Sequence, residues 1–399
     1  MARASEISVL VKQAARNAGF ELAGIAPVHE FAELKYFPEW IAKGRGGEMK
    51  YMEARDAAGN LKRASLQTVA PWARSVVVCA INYNTAAPYS TQVEDPERGW
   101  IARYAWSQED YHDAVMRRLR AVEVTVRQAG LTLGAKVCGE EEDLNAALKR
   151  CSTQNLHSSS ANKAVPIDRV INGERNSPEL QTRCYVDTGP LVERVYAKYA
   201  GIGWIGKNTC ILNQKMGSWL FLGVILTSLE VDADLPAPDR CGTCTRCIDA
   251  CPTDALIAPY QLDSNRCISY LTIEKRGTIP EEMRDGMGRH VFGCDICQDV
   301  CPWNRKAPAT TAPEFQPRDG LVNPALTWLS EMSAEEFRGK FRGSPIQRAK
   351  RSGVRRNAVI AMGNSGDRRF VPVLEKLAAD DDPVVAESAK WAARKHSTS

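Results

Sequence analysis

The sequence predicts three units in series: an α/β domain over residues 1–230, a cysteine-rich metal-cluster module over 231–310 and an all-α unit over 311–399. Three observations carry this. Apolar residues alternate between helical and strand spacing in the first part, eight of the 13 cysteines fall between Cys241 and Cys301, and the tail has helical spacing with short turns. A length of 399 residues suits two or three domains, and 44% hydrophobic with 25% charged residues suits packed cores. These figures exclude disorder throughout, collagen-like sequence and a simple coiled coil. The net charge of +4 names no partner.

In the first unit, Ile7, Leu10, Val11, Ala14, Ala15 and Ala18 repeat at helical spacing and Gly19 stops the helix. Phe20 to Val28 reads as a strand, and the unbroken apolar run Ser75 to Asn82 as a strand covered on both faces. Asp110 to Gln128 is an amphipathic helix ending at Ala129-Gly130, before an expected strand, Leu131 to Val137. The polar stretch from Gly139 to about Gln181 is expected to be mostly exposed loop, with one helix near Leu144 to Arg150. A strand (Cys184 to Asp187), a helix (Pro190 to Ala200) and a hairpin (Cys210 to Ile225, turning near Met216-Gly217) complete the layer. Asp232 to Asp239, with Pro236 and Pro238, is a linker.

Beyond the cysteines, Pro302, Pro308, Pro313 and Pro317 mark an irregular connection. Helices are expected over Val354 to Met362 and Asp367 to Ala379, with a third opened by Asp380-Asp381-Asp382-Pro383. Helix pairs with an aspartate-rich turn give the HEAT pattern, here about one and a half repeats.

Cys241-x2-Cys244-x2-Cys247-x3-Cys251-Pro252 is the bacterial ferredoxin run, in which the fourth cysteine ligates the other cluster. Cys294-x2-Cys297-x3-Cys301-Pro302 and Cys267 supply the partner set. Crossing the fourth ligands puts one [4Fe–4S] cluster on Cys241, Cys244, Cys247 and Cys301, and the second on Cys251, Cys267, Cys294 and Cys297. Four-cysteine zinc sites use two separated pairs instead. A disulfide scaffold would spread its cysteines through a short secreted chain. Cys79, Cys184 and Cys210 lie in strand contexts and read as packing residues.

Two glycine motifs mislead. Gly201-Ile202-Gly203-Trp204-Ile205-Gly206 matches GxGxxG, and Gly201-x4-Gly206-Lys207-Asn208 nearly matches a P-loop. Both need a strand before and a helix after, and the order here is reversed. The reading is a helix cap and tight loop, where Lys207 and nearby amides could hold an anionic part of another cofactor.

Several longer motifs resemble the epoxyqueuosine reductase family: Ile101-Ala102-Arg103-Tyr104-Ala105 with Asp110-Tyr111-His112; Val186-Asp187-Thr188-Gly189-Pro190; Gly203 to Thr209; Cys267 to Glu274; Phe292-Gly293-Cys294-Asp295; and Cys301-Pro302-Trp303-Asn304. The resemblance covers nearly the whole chain. The segment 139–181 departs from it as a surface insertion. It implies a nitroreductase-like, cobalamin-binding α/β domain, kinship with reductive dehalogenases, and reduction of an epoxide to an alkene on the wobble base of tRNA, the last step of queuosine biosynthesis. It also implies Asp187 as proton donor, on a strand end where burial would favour its neutral form. Asp187 could instead merely cap its turn, and His112 is a second candidate acid. Cobalamin contacts carried over are Arg63, Tyr104, Asp187, Lys207, Ile211, Leu222, Ile268, Cys294 and Asp295, Arg63 on a loose match.

From Phe337 to Gly366 the chain has basic residues and no acidic ones, the pattern of a phosphate-contacting face. Arg348, Lys350, Arg355 and Arg356 are the expected tRNA contacts, with Lys275 and Arg276 near the active-site mouth. Cobalamin, two [4Fe–4S] clusters, a tRNA carrying epoxyqueuosine and an external electron donor of ferredoxin or flavodoxin type are therefore expected. So is a monomer in the cytoplasm, since the first residues lack a signal-like apolar stretch and no run approaches membrane length. The alternatives are a corrinoid reductive dehalogenase acting on a small molecule, which leaves the basic tail unexplained, and an electron carrier, which leaves the α/β domain without a task.

Overall fold

The computed structural model describes residues 2–137 and 180–398. The expected helix at 144–150 and nearly all of the 139–181 insertion lie outside them. In chain order the first unit contains α1 (Ala2–Asn17), β1 (Leu22–Pro27), β2 (Ser75–Asn82), β3 (Trp100–Ile101), α2 (Tyr111–Val137) and β4 (Thr182–Tyr185). It continues with α3 (Glu193–Tyr199), β5 (Trp204–Ile205), β6 (Ile211–Leu212) and β7 (Leu220–Thr227). The main sheet has the order β1-β2-β7-β4 and is antiparallel throughout.

Every residue of β2 is buried, because helices cover both faces of the sheet. Val77, Cys79 and Ile81 pack with Val11 of α1 and with Val115, Leu119, Val122 and Val126 of α2. Val76, Val78 and Ala80 point the other way, onto Val195 and Tyr196 of α3. Each fully buried aliphatic side chain contributes about 1.5–3 kcal/mol. Gly223 of β7 lets α2 approach, since a Cβ there would sit 2.6 Å from Leu119. Gly24 of β1 does the same for the end of α3, where a Cβ would sit 1.9 Å from the Ala200 carbonyl oxygen.

Two expectations are corrected. The segment Leu131 to Val137 is not a strand: α2 runs on through Gly130 to Val137. The hairpin turn forms, with Asn213 and Gly217 exchanging backbone hydrogen bonds of 2.8 and 2.9 Å. Its arms then separate, β6 pairing with β5 while β7 enters the sheet between β2 and β4. The linker is tied down along β1, where Asp234 accepts from the Ile25 amide at 2.8 Å and pairs with Lys12 at 2.5 Å.

The cysteine-rich module carries α4 (Ile268–Ile273) and β10 (His290–Phe292), with the small pair β8 (Leu256–Ala258) and β9 (Gln261–Leu262) before them. Helices α5 (Leu326–Glu331), α6 (Ala334–Lys340), α7 (Lys350–Ser365), α8 (Val371–Leu377) and α9 (Pro383–Thr398) follow. Strand β10 pairs in parallel with β3, and one hydrophobic core joins Trp100, Leu271 and Phe292 to Val359, Leu374 and Trp391. The core therefore runs across the expected boundary near residue 311.

Candidate functional site

Four of the module's cysteines line one small cavity, and others lie close together deeper in the module. A cavity of about 40 Å³ is lined by Cys241, Cys244, Cys247 and Cys301, together with Lys207, Asn208, Arg246 and Trp303. Burial and the neighbouring Cys241 and Cys244 push the Cys247 thiol up. Burial and the charges of Cys241 and Cys247 raise Cys301 to about 11. The second group is deeper: burial, with Cys267 and Cys251 close by, holds Cys294 well above its ordinary value. Among the described residues, no three His, Cys, Asp or Glu side chains are drawn in around a single metal ion.

Cys210 is more than a packing residue. Its thiol lies against that of Cys297, and this contact lowers Cys210 and raises Cys297. Asn208 fixes this contact by donating to the Cys297 carbonyl (3.3 Å) and accepting from the Cys210 amide (3.2 Å).

The glycine motif behaves as a cap and loop. It follows α3, opens β5 and puts Gly201 at φ 70°. Lys207 donates to the carbonyls of Gly242 (2.7 Å) and Cys244 (3.0 Å), so its ammonium braces the first cysteine loop.

Asp187 lies just past β4 at φ 54°, and it is exposed, which removes the burial expected to keep it neutral. The Tyr111 hydroxyl, from the first turn of α2, donates to Asp187 Oδ2. His112 is half-buried, with Nδ1 3.5 Å from Asp110 and Nε2 closed off from solvent without a partner. Burial works against its charged form, but Asp110 and Asp187 outweigh it and raise the ring's pKa. Tyr104 stands edge-on to Tyr111 at 5.9 Å and touches the Gly293 position, beside Cys294. A chain of contacts thus runs from Cys294 through Tyr104 and Tyr111 to Asp187.

Glu193, at the start of α3, shares this cleft. Burial first, then the charge of Asp187, pushes its carboxyl up to about 8, against the pull of Arg63 and Arg194. Sequence reasoning missed Glu193, because an acid in a first helical turn reads as an ordinary dipole partner. Tyr51 is 47% exposed, and Arg63, Asp187, Glu274 and Arg348 all act on its phenol.

The other expected contacts divide. Arg63 donates to the Leu191 carbonyl at 3.1 Å, while Ile211 and Leu222 pack together beside α3. Ile268 is buried in the core shared with the tail. Asp295 is 2% exposed, and its carboxylate accepts from Trp100 Nε1 (3.1 Å) and the Arg103 amide (2.8 Å), so this side chain serves the core rather than the cleft. Arg103 itself is buried among the rings of Tyr89, Trp106 and Trp219.

Of the basic residues, Arg348 and Lys350 are exposed. Arg348 pairs with Glu274 at 3.1 Å, and its charge acts on Tyr104, Tyr111 and His112, so it stands at the cleft. Lys275 pairs with Glu48 at 2.5 Å, and Arg276 donates to the Arg348 carbonyl at 2.8 Å. Arg355 and Arg356 are corrections. Arg355 pairs with Asp380, and Arg356 donates to the carbonyls of Leu271, Lys275 and Gly277, so both are buried away from any phosphate.

Comparison with known proteins agrees with this geometry. The 4Fe-4S double cluster binding domain matches residues 240–304, and the epoxyqueuosine reductase QueG (DUF1730) family matches residues 63–138. An epoxyqueuosine reductase of Xanthomonas campestris is 33% identical over 98% of this chain and 97% of its own length. The chain belongs to the epoxyqueuosine reductase family. The family is one of oxidoreductases, and its Pseudomonas aeruginosa member is 35% identical over 97% of this chain and 93% of its own. A crystal structure of epoxyqueuosine reductase with an epoxyqueuosine-modified tRNA stem loop superposes with TM-score 0.75 at 30% identity, covering 98% of this chain and 90% of that one. The Bacillus subtilis enzyme, at TM-score 0.75 and 29% identity over the same shares of the two chains, is described with an aspartate catalytic loop swung out of its active site. No helix among the described residues is long and apolar enough to cross a membrane.

Proposed function

We propose that the protein reduces epoxyqueuosine to queuosine at the wobble position of tRNA, with Asp187 protonating the departing oxygen. The observation that carries this reading is the cleft itself. It brings Asp187, Tyr111 and His112 together with Arg348, a basic residue from the helical tail, and it backs onto the second cysteine group through Tyr104. Cys241, Cys244, Cys247 and Cys301 hold one cluster, and Cys251, Cys267, Cys294 and Cys297 the other. The cavity ringed by the first four thiols supports that crossed pairing.

The residues also fit a cobalamin. His112 Nε2 has no protein partner and lies near Asp187, so the cleft has polar capacity for a macrocycle fringed with amides. Arg63, Tyr104, Asp187, Ile211 and Leu222 would hold it. When bound, the clusters and the corrinoid supply the electrons that break the carbon–oxygen bond.

The chain's own residues do the rest. The Tyr111 hydroxyl orients the Asp187 carboxyl, and Asp187 gives the leaving oxygen its proton. Tyr51, an exposed aromatic residue, offers a stacking partner for a splayed-out base, and Arg348 and Lys350 meet the backbone phosphates. An external ferredoxin- or flavodoxin-type donor supplies the reducing equivalents, and the protein works as a cytoplasmic monomer.

Asp187→Asn tests the acid. It keeps the turn's shape and hydrogen bonding but has no transferable proton, so single turnover with pre-reduced enzyme should slow by ~10²–10⁴-fold with both clusters retained. Turnover within a few fold of wild type would show that Asp187 is a turn cap and return the role to His112.

A further inference from the structure

A protein electron carrier must dock where a cluster comes near the surface, and the first cysteine group is the shallower one. Its cavity opens beside the exposed residues Arg246 and Pro302. Asn208 lines the same cavity and donates to the Cys297 carbonyl at 3.3 Å, so the first group stands next to the second. Three separate segments bring exposed cations to this mouth. Arg240 immediately precedes Cys241, and Arg246 lies between Cys244 and Cys247. Arg305 and Lys306 follow Trp303, which lines the cavity. Lys215 sits on the Asn213–Gly217 turn, which packs on that last segment: the Ser218 amide donates to Asn304 Oδ1 at 2.7 Å, and a Cβ on Gly217 would lie 2.9 Å from the Cβ of Ala307. Among the described residues, none of these five side chains has an ion-pair partner. The two carboxylates of the first cysteine loop are engaged. Asp239 accepts from the Cys241 amide at 2.7 Å and the Tyr260 hydroxyl at 2.5 Å, and Asp249 from the Thr245 hydroxyl at 2.8 Å. Thiolate ligands are anionic, so a cluster mouth without cations would repel an acidic partner. This rim reverses the sign.

From this arrangement we propose that the rim of Arg240, Arg246, Lys215, Arg305 and Lys306 is the docking face for a small acidic one-electron carrier, and that electrons enter through the first cluster. The inference rests on the reading of the clusters and of an external donor given above. Charge complementarity selects the occupant: unpaired surface cations raise the association rate of an oppositely charged partner by ~10–10³-fold and hold off a basic one. Half-buried Trp303, edge-on to Trp204 at 5.1 Å, gives the face an aromatic centre inside its charged rim. RNA is anionic too, but a phosphate backbone seated here would cover the electron entry during turnover. The cleft with Asp187 and Arg348 adjoins the second cysteine group instead, through Tyr104. Each encounter moves one electron. The carrier is oxidised by one equivalent, the cluster is reduced by one, and no bond or proton changes hands. Two encounters supply the two electrons of one epoxide reduction.

Stopped-flow reduction of the cluster-loaded protein, with no RNA present, reads this step apart from the fate of epoxyqueuosine. The donor is a reduced acidic flavodoxin, and the signal is the bleaching of the cluster absorbance. In wild type the second-order rate should fall steeply as salt is raised. Arg240→Glu, Arg305→Glu and Lys306→Glu combined should lower it by ~10-fold or more at low salt. Iron content, affinity for a tRNA stem loop and reduction by photoreduced deazaflavin, which needs no docking face, should stay as in wild type. Glutamine at the same three positions should give an intermediate rate. A wild-type rate indifferent to salt would overturn the proposal, as would a triple variant that flavodoxin reduces as fast as wild type. Equal slowing with deazaflavin would place the effect in the cluster and refute the docking role. Weaker stem-loop binding with unchanged reduction by flavodoxin would assign the face to RNA. Because the assay contains no epoxide, a protein inactive on epoxyqueuosine still passes or fails it.

Discussion

Replacing Arg355 by methionine asks whether the basic run of the tail faces RNA or the core. Arg355 is 4% exposed on α7, donating from Nε to the Ser330 carbonyl at 2.6 Å and from its two terminal nitrogens to Asp380 at 3.0 and 2.5 Å. Methionine keeps most of the apolar stem but leaves the Asp380 carboxylate and the Ser330 carbonyl without their partner. Breaking a buried pair costs ~3–5 kcal/mol. The Asp380 side chain retains 18% exposure, which places this case at the lower end, about 3 kcal/mol. For the roughly 170 residues from 231 onward, whose module and tail share one core, that lowers Tm by about 6–12 °C. Arg355 also holds Asp380 below the ordinary carboxylate range, so the pair's contribution is complete above pH 3.8 and fades as pH falls below it. The assay is calorimetry on the cluster-loaded protein, with Asp380→Asn and the double variant alongside. The double variant should lose less than the two single losses combined. Stability within about 0.5 kcal/mol of wild type, together with a flatter salt dependence of tRNA binding, would refute the structural role and restore Arg355 to the phosphate-binding face.

Further outcomes follow from the same geometry. Replacing Arg348 and Lys350 by glutamine should lower the log–log salt slope of tRNA binding by ~0.7–0.9 for each phosphate no longer neutralised. Arg356→Gln should instead destabilise the fold, measured by thermal unfolding, because three backbone carbonyls lose their donor. Iron analysis should give about eight irons per chain, and Cys301→Ala should retain about half, on the Cys251 group; zinc in their place would refute the clusters. Burial pushes the His290 ring down to about 4 from 6.5, so the unfolded chain binds the extra proton. Stability is then complete above pH 6.5 and falls by about 2 kcal/mol between pH 7 and 5. Urea unfolding of His290→Leu should lack that acid limb.

What the sequence made legible was local. Ser75 to Asn82 announces itself, because a strand covered on both faces has no polar positions to confuse its limits. The double-cluster module was readable because such domains carry their cysteines at a fixed local spacing. Partnership across the chain was not readable. The turn at Asn213 and Gly217 was visible, but nothing nearby says that β6 leaves to join β5. Gly130 looked like a helix stop, yet α2 continues through it, and the alternation Leu131, Leu133 then imitated a strand. The basic run misled for a related reason. Charge does not say which way a side chain points, and α7 is buried on so many sides that two of its arginines turn inward. Asp187 was singled out by resemblance, whereas Glu193 acquires its character only when the fold buries it, against the pull of Arg63 and Arg194.

Anaerobic turnover puts the proposed reaction to its sharpest test. Cluster-loaded protein, tRNA bearing epoxyqueuosine, a low-potential reductant and cobalamin are combined, and the digested nucleosides are weighed by mass spectrometry. Loss of one oxygen atom from the modified nucleoside, only when both reductant and corrinoid are present, is the predicted result. Conversion that proceeds fully without the corrinoid, or a nucleoside unchanged in the complete mixture, would contradict it.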